Sequence, residues 1–331
     1  MKVLIRTDLS SQIGMGHAVR CKALAQALAA RGAEVCFTTT TPGLETFVAP
    51  FLLDECVVWH SYDVLIVDTK ASDWTQDTIA LWLARDAGLR VVCIDHTHAT
   101  HDTCDLLVAP VAHWDDPTVA RLRGDFGERF LYGWDYVLID EAVTQHDPIP
   151  YADRLQAPIV FCAGGSDPTG ALEQMYAWMR GNTLDAQLLF CFGAHSRRPL
   201  RQRYEAAGGE SLCMSGNRYI VPFHHDYLRQ AALVVGMFGV TPYECLWYQT
   251  PMLTLAHTEE NAVGAMALQE QTHGAVLSLG GIQSYETTSF RLWVEAVWYG
   301  LPLRLHMHEA STAVFDGQGV QRVAAAIMEL I

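Results

Sequence analysis

The residues best suited to chemistry fall in short segments that each follow an apolar run. The first is Thr7-Asp8-Leu9-Ser10-Ser11-Gln12-Ile13-Gly14-Met15-Gly16-His17. Gly14 and Gly16 allow tight turns and the close approach of a phosphate-bearing ligand. His17 falls at or near the start of the next helix. The positive end of a helix disfavours an imidazolium, so a neutral histidine able to act as a base is expected there. The bland alternative is a glycine loop for phosphate with a bystander histidine.

The second segment is Cys162-Ala163-Gly164-Gly165-Ser166-Asp167-Pro168-Thr169-Gly170. Gly165 and Ser166 can present N–H and hydroxyl donors to a diphosphate or a sugar. The same residues also fit an ordinary turn in which Asp167 caps a helix starting at Pro168. The third segment is Gly236-Met237-Phe238-Gly239-Val240-Thr241-Pro242-Tyr243-Glu244. Here Gly239, Val240 and Thr241 could hold a phosphate. Glu244, one helical turn further on, could accept both hydroxyls of a ribose, or else reach back to cap its own helix. A fourth segment, His257-Thr258-Glu259-Glu260-Asn261, could read sugar hydroxyls or be a solvated loop. The backbone of Ile220–Phe223, with Val221 and Phe223, could meet the edge of a nucleobase.

Two histidine-rich stretches carry less. Asp95-His96-Thr97-His98-Ala99-Thr100-His101-Asp102 has the composition of a metal tract, but its spacing fits no familiar site, and no metal is expected. His224-His225 opens a helix, where imidazoles are as readily surface groups as functional ones.

Such segments need a frame to hold them, and the pattern supplies one. Strands are expected at Lys2–Arg6, Glu34–Phe37, Tyr62–Asp68 and Arg90–Asp95, with helices over His17–Arg31 and Thr75–Ala87 between them. After a proline-marked stretch, Thr144–Pro158, the alternation restarts. Strands are expected at Pro158–Ala163, Ala186–Phe192, Leu233–Gly236 and Pro251–Leu255, and helices at Thr169–Arg180 and Pro242–Trp247. Continuous apolar strands that alternate with helices imply parallel sheets covered on both faces. The expected architecture is α/β: two doubly wound Rossmann-like domains facing a cleft, 1–145 and 146–331. The final helix is a candidate to pack back on the first domain. In such folds ligands sit beyond the carboxyl ends of the strands, where all of these segments fall.

Composition narrows the partners. The 331 residues carry a net charge of −15, which disfavours nucleic acid and anionic membranes. No apolar run is long enough to span a bilayer, and no secretory signal opens the sequence. The nine cysteines form no CxxC pair, as expected of reduced thiols in a cytoplasm.

The opening segment, with Arg6, Ser10–His17 and Arg20, resembles the UDP-sugar hydrolase of pseudaminic acid biosynthesis and the related spore-coat polysaccharide proteins. Further matches keep the same order along nearly the whole chain. They are Tyr62-Asp63, Val67-Asp68, Cys104–Leu107, Tyr136 with Leu138 and Glu141, Gly164–Pro168, and Asp316-Gly317-Gln318-Gly319 with Arg322-Val323. The resemblance implies a GT-B fold, similar to the transferase that adds N-acetylglucosamine to the lipid-linked peptidoglycan precursor. It implies UDP bound by the C-terminal domain, with Thr241 and Glu244 holding diphosphate and ribose. It also implies His17 as the base that activates water, inverting cleavage of the C1–O bond, and no metal or cofactor.

The departures gather on the sugar or acceptor side, where Asp8, Gln12, Lys70, Glu260 and Asn261 are expected. The hydrolases usually have Asp-His-Tyr-Gly where this chain has Asp68-Thr69-Lys70-Ala71. They often have Asn-Gln where it has Asn261-Ala262, and an arginine where it has Ile139. Lys70 could pair with a carboxylate on the sugar or on an acceptor. A glycosyltransferase acting on a small acceptor is therefore the alternative to a hydrolase.

Overall fold

The computed structural model describes residues 1–9, 15–69, 74–111, 114–196, 198–209, 212–312 and 314–331. Gln12, Gly14 and Lys70 lie outside the described residues. The chain forms two compact units, Met1–Ala142 with Phe315–Ile331, and Val143–Val314.

The first unit holds a seven-stranded sheet made of β1 (Lys2–Thr7), β2 (Glu34–Thr38), β3 (Leu52–Leu53), β4 (Val64–Asp68), β5 (Arg90–Ile94), β6 (Leu106–Ala109) and β7 (Phe130–Tyr132). Its order is β3-β2-β1-β4-β5-β6-β7, and every recorded pairing is parallel. The helices are α1 (Gly16–Ala30), α2 (Leu44–Val48), α3 (Trp74–Asp86) and α4 (Asp116–Phe126); α5 (Glu141–Thr144) straddles the unit boundary.

The strands are apolar along their middles because each face is covered. Alternate residues point to opposite faces. Val3, Ile5, Val64, Ile66, Val92 and Ile94 share one core with Leu24 and Leu28 of α1. Leu4, Leu65, Val67, Val91 and Cys93 share another with Leu81 of α3 and Leu122 and Phe126 of α4.

The second unit holds β8 (Ile159–Cys162), β9 (Leu188–Phe192), β10 (Leu212–Ser215), β11 (Arg218–Pro222), β12 (Leu233–Met237), β13 (Met252–Ala256) and β14 (Val276–Gly281). Their order is β10-β11-β9-β8-β12-β13-β14, parallel except for the β10–β11 pair. Its helices are α6 (Ala171–Trp178), α7 (Pro199–Ala206), α8 (His225–Gln230), α9 (Thr241–Trp247), α10 (Glu259–Gln271), α11 (Thr287–Tyr299) and α12 (Leu301–Ser311). Phe161 and Phe190 stack at 4.5 Å in a core closed by Met175 of α6 and by Phe290 and Val294 of α11.

The chain then returns to the first unit as α13 (Gly319–Met328), whose Val320, Val323, Ala324 and Ile327 join the core around α1. Small residues on α1, among them Ala18, Cys21, Ala25 and Ala27, are buried in that core. Gly319 is required by contact: a Cβ there would lie 2.2 Å from the Val137 carbonyl. Among the described residues, eight cysteines are free and seven of those are buried. No helix of the described chain is long and apolar enough to cross a membrane.

Candidate active site

In an open parallel sheet, neighbouring strands whose connections depart to opposite sides leave a crevice at their carboxyl ends. In the first unit that point lies between β1 and β4, and in the second between β8 and β12.

At the first crevice, His17 is the second residue of α1, and Asp68 closes β4. His17 Nδ1 lies 2.7 Å from Asp68 Oδ1. Arg20, one turn along α1, grips the same carboxylate in a bidentate fork: Nε donates to Oδ2 at 2.6 Å and Nη2 to Oδ1 at 2.6 Å. Arg20 Nη2 and His17 Nδ1 are 3.2 Å apart because both reach the one oxygen, Oδ1. Arg20 also donates to Asp95 Oδ2 at 3.3 Å from both terminal nitrogens.

Burial alone would raise the Asp68 pKa, but the Arg20 guanidinium and His17 hold the carboxyl well below its usual range. Burial works against the Arg20 charge as well, and the two aspartates more than offset it. Asp68 is therefore an anion with no solvent exposure. In the neutral ring, an anionic partner at Nδ1 favours that nitrogen as the donor, with the lone pair on Nε2. His17 is half-buried, so one part of its ring remains accessible.

The histidine-rich tract does not act as one group. Asp95 joins Arg20, and His96 is buried beside it, where desolvation brings its pKa down to about 4. His101 turns away to Asp125, 2.6 Å from its Nδ1. Among the described residues no cluster of three or more potential metal ligands forms.

Asp8, expected on the sugar side, is 1% exposed and fully engaged. Arg6 Nη2 donates to its Oδ2 at 2.7 Å, and Thr39 Oγ1 and the Thr40 amide donate to its Oδ1 at 2.8 and 3.0 Å. Its carboxylate shapes the turn after β2, and among the described residues Arg6, Thr39 and Thr40 are its partners. Gly16 opens α1.

At the second crevice, Gly164, Gly165 and Ser166 form the turn after β8. A neighbouring turn supports it from behind. His195 N donates to Gly165 O at 2.9 Å, and a Cβ on Gly193 would lie 2.3 Å from that same oxygen. Asp167, in the left-handed region at φ 47°, accepts the Ala171 and Leu172 amides at 2.7 and 3.2 Å. It caps α6, which begins at Ala171 and not at Pro168. Burial holds the Asp167 carboxyl above its usual range, against the pull of those amides.

Gly239 and Val240 lead into α9, with Thr241 its first residue and Pro242 its second. The opening amides of a helix have no partner inside it. Glu244 is the fourth helical residue, one beyond the position from which a capping box closes, and its carboxylate faces His225 Nδ1 at 3.5 Å. Val221 is buried in β11. The Phe223 amide donates to Phe192 O at 2.9 Å, which removes it as a donor for a base edge. Glu260 and Asn261 lie not in a loop but on the first turn of α10, capped by Thr258. Sequence reasoning passed over His257 as a distinct group. Its Nδ1 lies 2.8 Å from Thr169 Oγ1, so it ties the turn after β13 to the turn after β8. Burial lowers its pKa.

Asp68, Arg20 and Asp95 also went unassigned. Asp68 and Asp95 each stand at or just beyond the end of an apolar strand, which was the available signal.

The chain matches no protein-family model. It is 23% identical to Spore coat polysaccharide biosynthesis protein SpsG of Bacillus subtilis, across all of this chain and 98% of that protein. Among solved structures, MurG of Acinetobacter baumannii has a TM-score of 0.64 at 12% identity, covering 99% of each chain. The UDP-GlcNAc 2-epimerase of Neisseria meningitidis, solved bound to UDP-GlcNAc, has a TM-score of 0.61 at 12% identity, over 99% of this chain and 100% of that one. The whole-length likeness to SpsG agrees with the spore-coat side of the sequence resemblance. The structural likenesses show that the two parallel-sheet units are those of the GT-B fold.

Proposed function

We propose that this chain is a nucleotide-sugar enzyme that opens the anomeric bond of a UDP-sugar with inversion and releases UDP. In this reading water is the nucleophile and His17 the general base. The water oxygen bonds to C1, its proton passes to His17 Nε2, and the electron pair of the C1–O bond departs with the diphosphate. The observation that carries the reading is the 2.7 Å contact between His17 Nδ1 and the buried Asp68 carboxylate. It leaves Nε2 with a lone pair in a half-buried crevice, as a base requires.

The second unit supplies the nucleotide side. Gly165, Ser166, Gly239, Val240 and Thr241 border its strand-end crevice, where backbone donors suit a diphosphate without a basic surface. Glu244 is assigned to the ribose, and Val221, with the groups of Phe223 other than its engaged amide, to the base. Gly16, and Gly14 two positions before it in sequence, are assigned to the diphosphate as well. A single displacement of this kind calls for no cofactor and no metal. The names borne by SpsG and by the UDP-GlcNAc-bound epimerase support this substrate class. The buried free thiols agree with a cytoplasmic setting.

A second reading, transfer of the sugar to a small acceptor, is favoured by Lys70, which stands where the resembling hydrolases carry tyrosine. The test is a panel of UDP-sugars with purified protein. UDP release without any acceptor, lost in His17→Ala, is the expected result. Release only on addition of an acceptor would select transfer, and full activity in His17→Ala would remove the histidine mechanism.

A further inference from the structure

We propose that Arg20 and Asp95 are positioning residues that set how readily His17 takes up a proton, acting through Asp68 and without touching substrate. The inference rests on the reading of His17 as a base.

The charged and titratable groups that face His17 among the described residues come from three elements. Arg20 and Cys21 come from α1, Asp68 ends β4, and Asp95 and His96 follow β5. Two of these are neutral in the working range. Burial pushes the Cys21 thiol up, and its Sγ–H donates to Asp68 Oδ2 at 3.4 Å. Burial keeps the His96 imidazole unprotonated. The charged set is therefore Arg20, Asp68 and Asp95: one cation between two anions.

The cluster thus carries one net negative charge while His17 is neutral, and none once His17 is protonated. Where most of the cluster is withdrawn from water, such balances carry weight. The geometry holds each member in place. Arg20 occupies both oxygens of Asp68, so the carboxylate is held ionised and in place beside His17 Nδ1. Asp95 sits in the left-handed region at φ 63°, and its amide donates to Val108 O at 2.8 Å, which aims its carboxylate at the far side of Arg20.

The two variants should therefore act in opposite directions. Asp95→Asn leaves the Arg20 cation unbalanced on its outer side, so protonated His17 is disfavoured. Arg20→Gln leaves two anions facing the ring, so protonated His17 is favoured. The test is an NMR titration of the His17 imidazole in the full-length, ligand-free protein, with the signal assigned by His17→Gln. The expected result is titration about one pH unit lower in Asp95→Asn and about one unit higher in Arg20→Gln. The acid limb of kcat/KM should move with each. Asp95→Glu should restore the wild-type position. Where Arg20→Gln fails to fold, Asp95→Asn and its rescue by Asp95→Glu decide alone.

Unmoved titration, or movement of both variants in the same direction, would overturn the proposal, because a purely structural role predicts one or the other. The readout needs no substrate. Opposite shifts in an enzyme that keeps full activity as His17→Ala would remove the base reading and leave this inference standing.

Discussion

The two sheets have the same strand number and a crevice at the same topological place, yet their carboxyl ends are furnished differently. The first gathers charge: Asp68, Arg20, His17 and Asp95 at one crevice, with Arg6 near the end of β1 and Asp8 just beyond it. The second is built mainly from glycine turns, backbone donors and hydroxyls; the acid in its main turn, Asp167, is spent on capping a helix, and its buried Glu244 faces His225. One frame can therefore carry a charged cluster or a set of neutral donors, by what stands at the strand ends. Charge that moves during a reaction needs neighbours of fixed sign. A diphosphate can be held by backbone donors that bring no counter-charge of their own.

Several substitutions would break or sharpen this contrast. The largest effect belongs to His17→Ala, which should lower turnover about 10³-fold, within the range for a general base, while UDP affinity measured by calorimetry stays unchanged. A joint loss of turnover and UDP affinity would mean that the two functions are not divided between the units.

Next is the acid response of the first unit. His96 titrates at about 4 in the folded protein and at 6.5 when unconstrained, so between those values the unfolded chain binds more protons. Stability is therefore full above pH 6.5 and falls as the pH drops toward 4, by roughly 3 kcal/mol. Urea unfolding at pH 7 and pH 4.5 should show this slope, and His96→Gln should flatten it.

Gly193→Ala should cost about 2 kcal/mol, because its Cβ would meet the Gly165 carbonyl at 2.3 Å. It should weaken UDP binding and leave the His17 titration where it was. The smallest effect is expected of Glu244→Gln, about tenfold in UDP affinity, the worth of one charge-assisted hydrogen bond to the ribose. Unchanged affinity would free Glu244 from the nucleotide and leave it as the partner of His225.

Much of the frame could be read from the chain. Strands buried on both faces are continuous apolar runs, and helices between them stand out by contrast, so β1, β4, β5, β8, β12 and β13 were all legible to within two residues. His17 was legible because a histidine after two glycines at a strand-to-helix turn has few structural reasons to be there. Its partners were not. Arg20 and Asp68 are 48 positions apart, and Arg20 and Asp95 are 75 apart. What joins them is the placement of β1, β4 and β5 side by side, and pairing order is a property of the folded sheet that no local pattern carries. Asp95 and His96 were also obscured by their neighbours. A run of histidines and aspartates suggests one metal site, whereas the turn after β5 sends its members in different directions.

The return of the chain to the first unit makes the histidine site late to mature. Residues 315–331 are synthesised only after the whole of the second unit, and α13 covers the helix that bears His17. During translation the second unit can close its core while α1 still lacks its cover. Until α13 arrives, the apolar side of α1 is a surface for chaperones or for misdocking. Changes in α13, far in sequence from any reacting group, should therefore register in the yield of active protein more than in the rate of each molecule that matures.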